Sequence, residues 1–170
     1  MSQTEMILDV CCGSRMMWFD KNDNRAIFSD KRKETHILPD KSSKGGVRAL
    51  EVNPDIVADF TNLPFPSESF VHVVFDPPHF RRNGEKSWCG LKYGTLKGGW
   101  EEEIRKGFEE CFRVLSIGGT LVFKWCESDI PLSKVLSLTA NKPLYGNKNP
   151  KRVGTHWIVW VKGIDSAPQV

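Results

Sequence analysis

Asp76-Pro77-Pro78-His79 closes an apolar run, Phe70 to Phe75, with a carboxylate, two prolines and an imidazole. Consecutive prolines carry no backbone N–H and hold φ nearly constant, so this corner offers carbonyl and carboxylate acceptors with no competing donor. An acceptor-only edge suits one task well: gripping both hydrogens of a planar amino group such as the exocyclic amine of a nucleobase. That nitrogen is a poor nucleophile because its lone pair is delocalised into the ring. Hydrogen bonds accepted by Asp76 and a carbonyl near Pro77 would draw it toward tetrahedral geometry and free the lone pair. Orientation of this kind supplies ~7–11 kcal/mol of barrier reduction. His79 is the candidate stacking surface for the ring, with a charge that would make stacking pH-sensitive near an unperturbed pKa of about 6.5.

The segment from Phe80 to Gly99 is glycine-rich and places Arg81, Arg82, Lys86, Lys92 and Lys97 among Trp88 and Tyr93. Cations interleaved with aromatics beside a candidate site suit a phosphate backbone and splayed bases. A base inside a duplex would have to flip out to reach Asp76. Three more carboxylates, Asp9, Asp30 and Asp59, each follow a short apolar run, as Asp76 does.

Those runs are the elements that must position the acids. Ile7-Leu8-Asp9-Val10 enters the tight turn Cys11-Cys12-Gly13-Ser14 and predicts a buried first strand. Ala26-Ile27-Phe28-Ser29 before Asp30, and Ile56-Val57-Ala58 before Asp59, repeat the pattern, and Phe70 to Phe75 is a fourth strand. Residues 31–54 are charged and irregular, which predicts a long loop or a weak helix. Ile104, Phe108, Cys111, Phe112 and Leu115 lie at helical spacing behind acids at 101–103, and Gly118-Gly119 ends that unit. Thr120 to Trp125 predicts a fifth strand, Ile130 to Ala140 a helix with Pro131 in its first turn, Pro143 to Tyr145 a brief strand and His156 to Val161 the last.

Strands that are apolar throughout, separated by helices or loops, imply a largely parallel sheet covered on both faces. Ligands bind such sheets outside the carboxyl ends of the strands, where the strand order reverses. Asp9, Asp30, Asp59 and Asp76 all fall at those ends.

A chain of 170 residues accommodates one domain with a proper core and is short for two. The net charge of +3 is too mild to name a nucleic-acid partner by itself. Five cysteines without a CxxC pair read as reduced thiols, and the four histidines are scattered, so the sequence proposes no metal site. No apolar run approaches the ~20 residues of a membrane span, and no cleavable signal opens the chain, so a cytoplasmic protein is expected.

From Ile7 to Val161 the chain resembles the class I S-adenosylmethionine-dependent methyltransferases, and most nearly the amino-methyltransferases of adenine N6 and cytosine N4 in DNA, which carry Asp/Asn-Pro-Pro-aromatic. The resemblance implies a reduced, single-domain, Rossmann-like α/β fold over residues 1–164: a seven-stranded, mostly parallel sheet with helices on both faces and strands one and four adjacent. Residues 165–170 are expected to form a frayed tail. It implies a cofactor site in which Asp9, Cys11 and Gly13 wrap the methionine end of S-adenosylmethionine, Asp30 meets the ribose, and Asp59 with Phe60 reads the adenine. Asp76, Pro77, Pro78 and His79 become the catalytic residues, and Arg81, Arg82, Lys86, Trp88, Lys92 and Tyr93 the substrate-binding ones. Two residues depart from the family pattern: Cys11 replaces a glycine of the first loop, and His79 replaces the usual Tyr, Phe or Trp. The implied activity is methyl transfer to a nucleobase amine, with DNA favoured over RNA. An RNA, protein or small-molecule methyltransferase, or a non-catalytic cofactor-binding or accessory subunit, stays open, as does a protein partner or a homodimer.

Overall fold

The computed structural model describes residues 6–147 and 154–164; the expected tail at 165–170 lies outside them. Among the described residues, nine strands and three helices run in the order β1 (Ile7–Asp9), β2 (Ala26–Asp30), β3 (Glu34–Pro39), β4 (Val47–Val52), β5 (Ile56–Val57), β6 (Phe70–Phe75), α1 (Trp88–Tyr93), α2 (Trp100–Val114), β7 (Leu115–Cys126), α3 (Leu132–Leu136), β8 (Tyr145–Gly146) and β9 (Thr155–Val161). Seven strands form one sheet in the order β5-β2-β1-β6-β7-β9-β8. All neighbours are parallel except β7–β9 and β8–β9, which are antiparallel. The order runs outward from β1 in one direction through β2 and β5, and in the other through β6 and β7. The switch point therefore lies between β1 and β6, as the sequence led us to expect, and it places Asp9 beside Val74 in register.

One face of this sheet carries the main core. Leu8, Ile27, Val73, Phe75, Leu121, Phe123, Trp125, Ile158 and Trp160 alternate onto it and meet Trp100, Ile104, Phe108, Cys111 and Val114 of α2 and Val135 of α3. Burying a large apolar side chain of this kind contributes roughly 1.5–3 kcal/mol, so this face dominates the stability. The helix forms because its apolar residues recur every three to four positions, and Glu101, Glu102 and Glu103 favour its positive end. Gly107 lets it sit close, since a Cβ there would lie 2.6 Å from the Phe75 ring.

Helices on both faces were expected. Among the described residues, α2 and α3 share one face, and over β1 and β2 the other face is covered by the turn-rich segment 10–25, with Trp18 edge-on to Phe28 at 4.8 Å. Gly13, Asp20, Asn22, Asp23 and Asn24 explain the difference, because such residues favour turns over helix and leave no apolar stripe to bury.

Residues 34–52 also differ from expectation. Instead of a loop or weak helix they form an antiparallel hairpin, β3 against β4, in full register from Glu34↔Val52 to Pro39↔Val47. The alternating exposure along β3 is the period-two signal that the charged composition obscured. Gly118 and Gly119 do not end the helical unit as expected; they lie within β7, where Gly118 takes φ +78°. A Cβ on Gly119 would come 2.8 Å from the Ser116 carbonyl oxygen, so the strand can bend there only around glycine. No helix among the described residues is long and apolar enough to cross a membrane.

Candidate active site

The carboxyl ends of β1, β2 and β6 converge, and each acid there meets a different environment. Asp9 is completely buried; its Oδ2 accepts the Trp18 indole N–H at 2.7 Å and its Oδ1 the Cys11 amide at 3.4 Å. Burial pushes its pKa up to about 7, against the stabilising hydrogen bond from Trp18. Asp30 is nearly as buried, but its oxygens hold the surrounding backbone: Oδ2 accepts Gly13 N–H at 2.9 Å and Oδ1 accepts Arg32 N–H at 2.9 Å and Nε at 3.2 Å. Arg32 reaches on to the Leu91 carbonyl at 2.8 Å, so it straps α1 to the end of β2.

Asp76 follows β6 directly. Its Oδ2 accepts Lys124 Nζ at 2.5 Å, while Oδ1 is buried with no hydrogen-bond partner among the described residues. Burial raises the Asp76 pKa and Lys124 pulls it back down. His79 is buried beneath Phe80, Tyr93 and Trp125, with ring centroids 4.4, 5.9 and 6.0 Å away, and its Nδ1 lies 3.3 Å from the Pro77 carbonyl oxygen. Burial lowers its pKa, so the ring is neutral at pH 7, and the expected change of stacking near pH 6.5 moves to more acidic solution.

Three cavities surround this corner. The first, about 360 Å³, is lined by Cys11, Asp30, Phe60, Asp76 and Pro78 and roofed by Lys86, Leu91, Tyr93 and Gly94. That volume lies within the range of small-molecule sites. The second is small, about 60 Å³, and joins Asp76, Pro77 and His79 to Gly13, Met16, Met17, Arg32, Lys92, Tyr93 and Lys124. The third, about 610 Å³, lies outward between the 13–22 turn and β4, with Trp88 and Lys92 on its rim. Asp76, Cys11, Arg32 and Tyr93 border both the first and the second, so the two adjoin at the carboxylate.

The structure thus brings Cys11, Gly13, Asp30, Phe60, Asp76, Pro77, Pro78 and His79 around adjoining cavities, with Lys86, Trp88, Lys92 and Tyr93 at their borders. Asp9 and Asp59 border none of the three. Asp59 accepts the Thr61 N–H and hydroxyl at 2.9 and 2.8 Å, an arrangement that shapes the turn carrying Phe60. Arg81 and Arg82 also stand apart: their amides are held by Asp129 Oδ2 at 2.7 and 3.1 Å, and their side chains are exposed away from the cavities. The cysteines are free thiols, and burial pushes that of Cys12 up to about 12, which leaves it unreactive. Among the described residues, no three His, Cys, Asp or Glu side chains are grouped to hold a metal ion.

Sequence reasoning passed over Lys124 and Arg32. The first carried a visible signal, since it is the sole charge in the run Thr120 to Trp125. Gly94 is a further requirement: it takes φ +76°, and a Cβ there would lie 2.8 Å from Pro78 Cγ, so only glycine lets the roof close on the prolines.

No family model and no curated protein matches the sequence. Solved structures do match. The PH0226 protein of Pyrococcus horikoshii is 14% identical, with a TM-score of 0.58 over 95% of this chain and 84% of that one. A SAM-dependent methyltransferase of Methanosarcina mazei is 14% identical, with a TM-score of 0.50 over 95% of this chain and 94% of that one. A SAM-dependent methyltransferase of Leishmania major is 13% identical, with a TM-score of 0.50 over 92% of this chain and 64% of that one. At such identities the likeness is one of fold, and the fold of this chain is that of the class I S-adenosylmethionine-dependent methyltransferases.

Proposed function

We propose that this chain is an S-adenosylmethionine-dependent methyltransferase acting on a nucleobase exocyclic amine, with adenine N6 in DNA the first candidate. The observation that carries this reading is the Asp76 corner: a buried carboxylate oxygen without a partner, beside two donor-less prolines, at the junction of two cavities.

The donor set around the first cavity fits the cofactor. Asp30 would take the ribose hydroxyls, Phe60 would lie against the adenine, and the turn through Cys11 and Gly13 would hold the methionine end. Asp9 and Asp59 support these groups from behind, through Trp18 and the turn at Thr61. When bound, S-adenosylmethionine supplies a methyl on a sulfonium, whose sulfur leaves with the bond pair as a neutral thioether. Asp76 Oδ1 and the Pro77 carbonyl accept the amine's two hydrogens and hold its lone pair toward that methyl. As the nitrogen forms its new bond to carbon, it loses one proton to Oδ1 and from there to water. The amino edge of a base would enter at the small cavity, whose wall includes Tyr93 and the buried, neutral His79. The substrate must be single-stranded or flipped for its amine to reach this depth.

The test supplies methyl-labelled S-adenosylmethionine with duplex DNA, single-stranded DNA, total RNA and a metabolite extract, followed by nucleoside mass spectrometry. Label in N6-methyladenine or N4-methylcytosine is the expected result, and the pool that carries it names the polymer. Label confined to protein or to small metabolites overturns the nucleobase reading. Cofactor binding with no label in any pool overturns catalysis and leaves a binding module.

A further inference from the structure

Phe75 pairs with Phe123, so the residues that follow stand side by side, Asp76 just past the end of β6 and Lys124 within β7. Lys124 also pairs in register with Trp157 of β9, and its ammonium lies 5.8 Å from that ring as well as 2.5 Å from Asp76 Oδ2. The cation is thus clamped between a carboxylate and an indole, with only 21% of its side chain exposed. A buried cation is costly to keep unless a partner requires it. The small cavity that both residues line contains Arg32, Lys92 and Lys124 against a single carboxylate, Asp76.

Resting on the methyl-transfer reading of this site, we propose that Lys124 is a positioning residue: it engages Oδ2 of Asp76 so that Oδ1 is the one acceptor left for the substrate, and it supplies the site's cation so that the amine selected is neutral. Two consequences follow from the charges. An ionised Asp76 can only accept, whereas a protonated one would present an O–H to the amine hydrogens and lose the grip. A cationic amine, such as a lysine side chain or a polyamine, would enter a cavity lined by Lys92, Lys124 and the Asp30-paired Arg32, with Asp76 its one carboxylate. A neutral amine carried on an anionic, phosphorylated substrate meets no such repulsion.

The charged and titratable groups around Asp76 are Lys124 from β7, His79 from the turn that follows, Asp9 from β1 and Cys11 from the turn after it, with Arg32, Lys92 and Tyr93 around the small cavity and Asp30 around the first. Of the cations, only Lys124 is hydrogen-bonded to Asp76. Carboxyl-carbon NMR of the full chain, labelled with ¹³C at aspartate and assigned with Asp76→Asn, reads the titration of Asp76 without cofactor or substrate. Lys124→Met is expected to move its midpoint up by about one pH unit or more, and Lys124→Arg to restore it. The acid limb of the methyl-transfer pH profile should shift in the same direction. Parallel assays with polylysine and spermidine should give no label. Should Lys124→Met unfold, Lys124→Gln gives the same comparison. An unmoved midpoint overturns the role of Lys124 whatever the substrate proves to be, and transfer to spermidine or polylysine overturns selection of a neutral amine. A moved midpoint in a protein that methylates nothing upholds the pairing and overturns the methyltransferase reading itself.

Discussion

Asp9 ends β1 and Asp76 follows β6, the strand hydrogen-bonded beside it, yet both oxygens of the first are engaged by Trp18 and Cys11 while one oxygen of the second has no partner. In sequence the two look alike, an acid behind an apolar strand. What separates them is the chain that follows. After Asp9 the backbone turns through donors, an amide and an indole, which occupy both carboxylate oxygens. After Asp76 come two prolines with no N–H to offer, so the carboxylate keeps an unused acceptor. Lys124 then holds it with a charge instead of a backbone donor. One acid becomes a tether for the turn at 10–18, and the other keeps an acceptor open.

Removing the free acceptor gives the largest expected effect. Asp76→Ala should lower methyl transfer by about 10²–10³-fold, the order seen when one preorganised polar group is removed from a reacting centre. Cofactor affinity by calorimetry should stay nearly unchanged, and an active Asp76→Ala protein would abolish the contrast with Asp9.

The tether is next. Asp9→Ala strands the Trp18 N–H and should lower stability by about 1–3 kcal/mol in denaturant titrations. Its pH dependence has a definite sign. With a folded pKa of about 7 against 3.8 for an unperturbed group, the native state holds a proton that the unfolded chain has released. Stability therefore falls as pH rises from about 4 to about 7, by roughly 3–4 kcal/mol from this group, and levels off outside that window. Asp9→Asn keeps an acceptor for Trp18 and should flatten that window. An unchanged slope in Asp9→Asn would mean that Asp9 is ionised at neutral pH, and the two acids would be more alike than their partners imply.

Asp30 lies between the two in kind, a backbone tether that also borders the larger cavity. Asp30→Ala should weaken S-adenosylmethionine binding about tenfold, near 1.4 kcal/mol, because both the Gly13 turn and Arg32 lose their anchor. Affinity equal to wild type would remove Asp30 from the cofactor site.

The smallest effect sharpens the comparison on the substrate side. Lys92 borders the small cavity, whereas Arg81 and Arg82, whose backbone amides are held by Asp129, border none of the three cavities. Lys92→Ala should reduce the salt dependence of single-stranded DNA binding by about 0.7 in logarithmic slope, one phosphate contact, and Arg81→Ala with Arg82→Ala should leave it unaltered. The reverse pattern would relocate the nucleic-acid path to the Asp129 side.

Local pattern was enough for much of this. The apolar runs at Ile7, Ala26, Phe70, Thr120 and His156 are read directly as strands because each is apolar with turn residues at its ends, and α2 announces itself by its helical stripe. The β3–β4 hairpin escaped because its alternating exposure is written in charged and polar residues rather than in a clean apolar period. The turn at Cys11-Cys12-Gly13-Ser14 was legible, but what the 10–25 segment covers depends on Trp18 meeting Phe28.

What the sequence determined by itself is the chemistry available: a donor-less Asp-Pro-Pro corner, acids at strand ends and a glycine turn, since these follow from residue type and neighbours along the chain. What only the tertiary structure decided is which acid remains open. Asp76 and Lys124 are 48 residues apart, and Asp30 and Leu91 are joined only through Arg32, so no local pattern reveals those contacts. Burial and charge pairing arise when distant strands come side by side, and they make one carboxylate a scaffold and its neighbour a candidate catalyst.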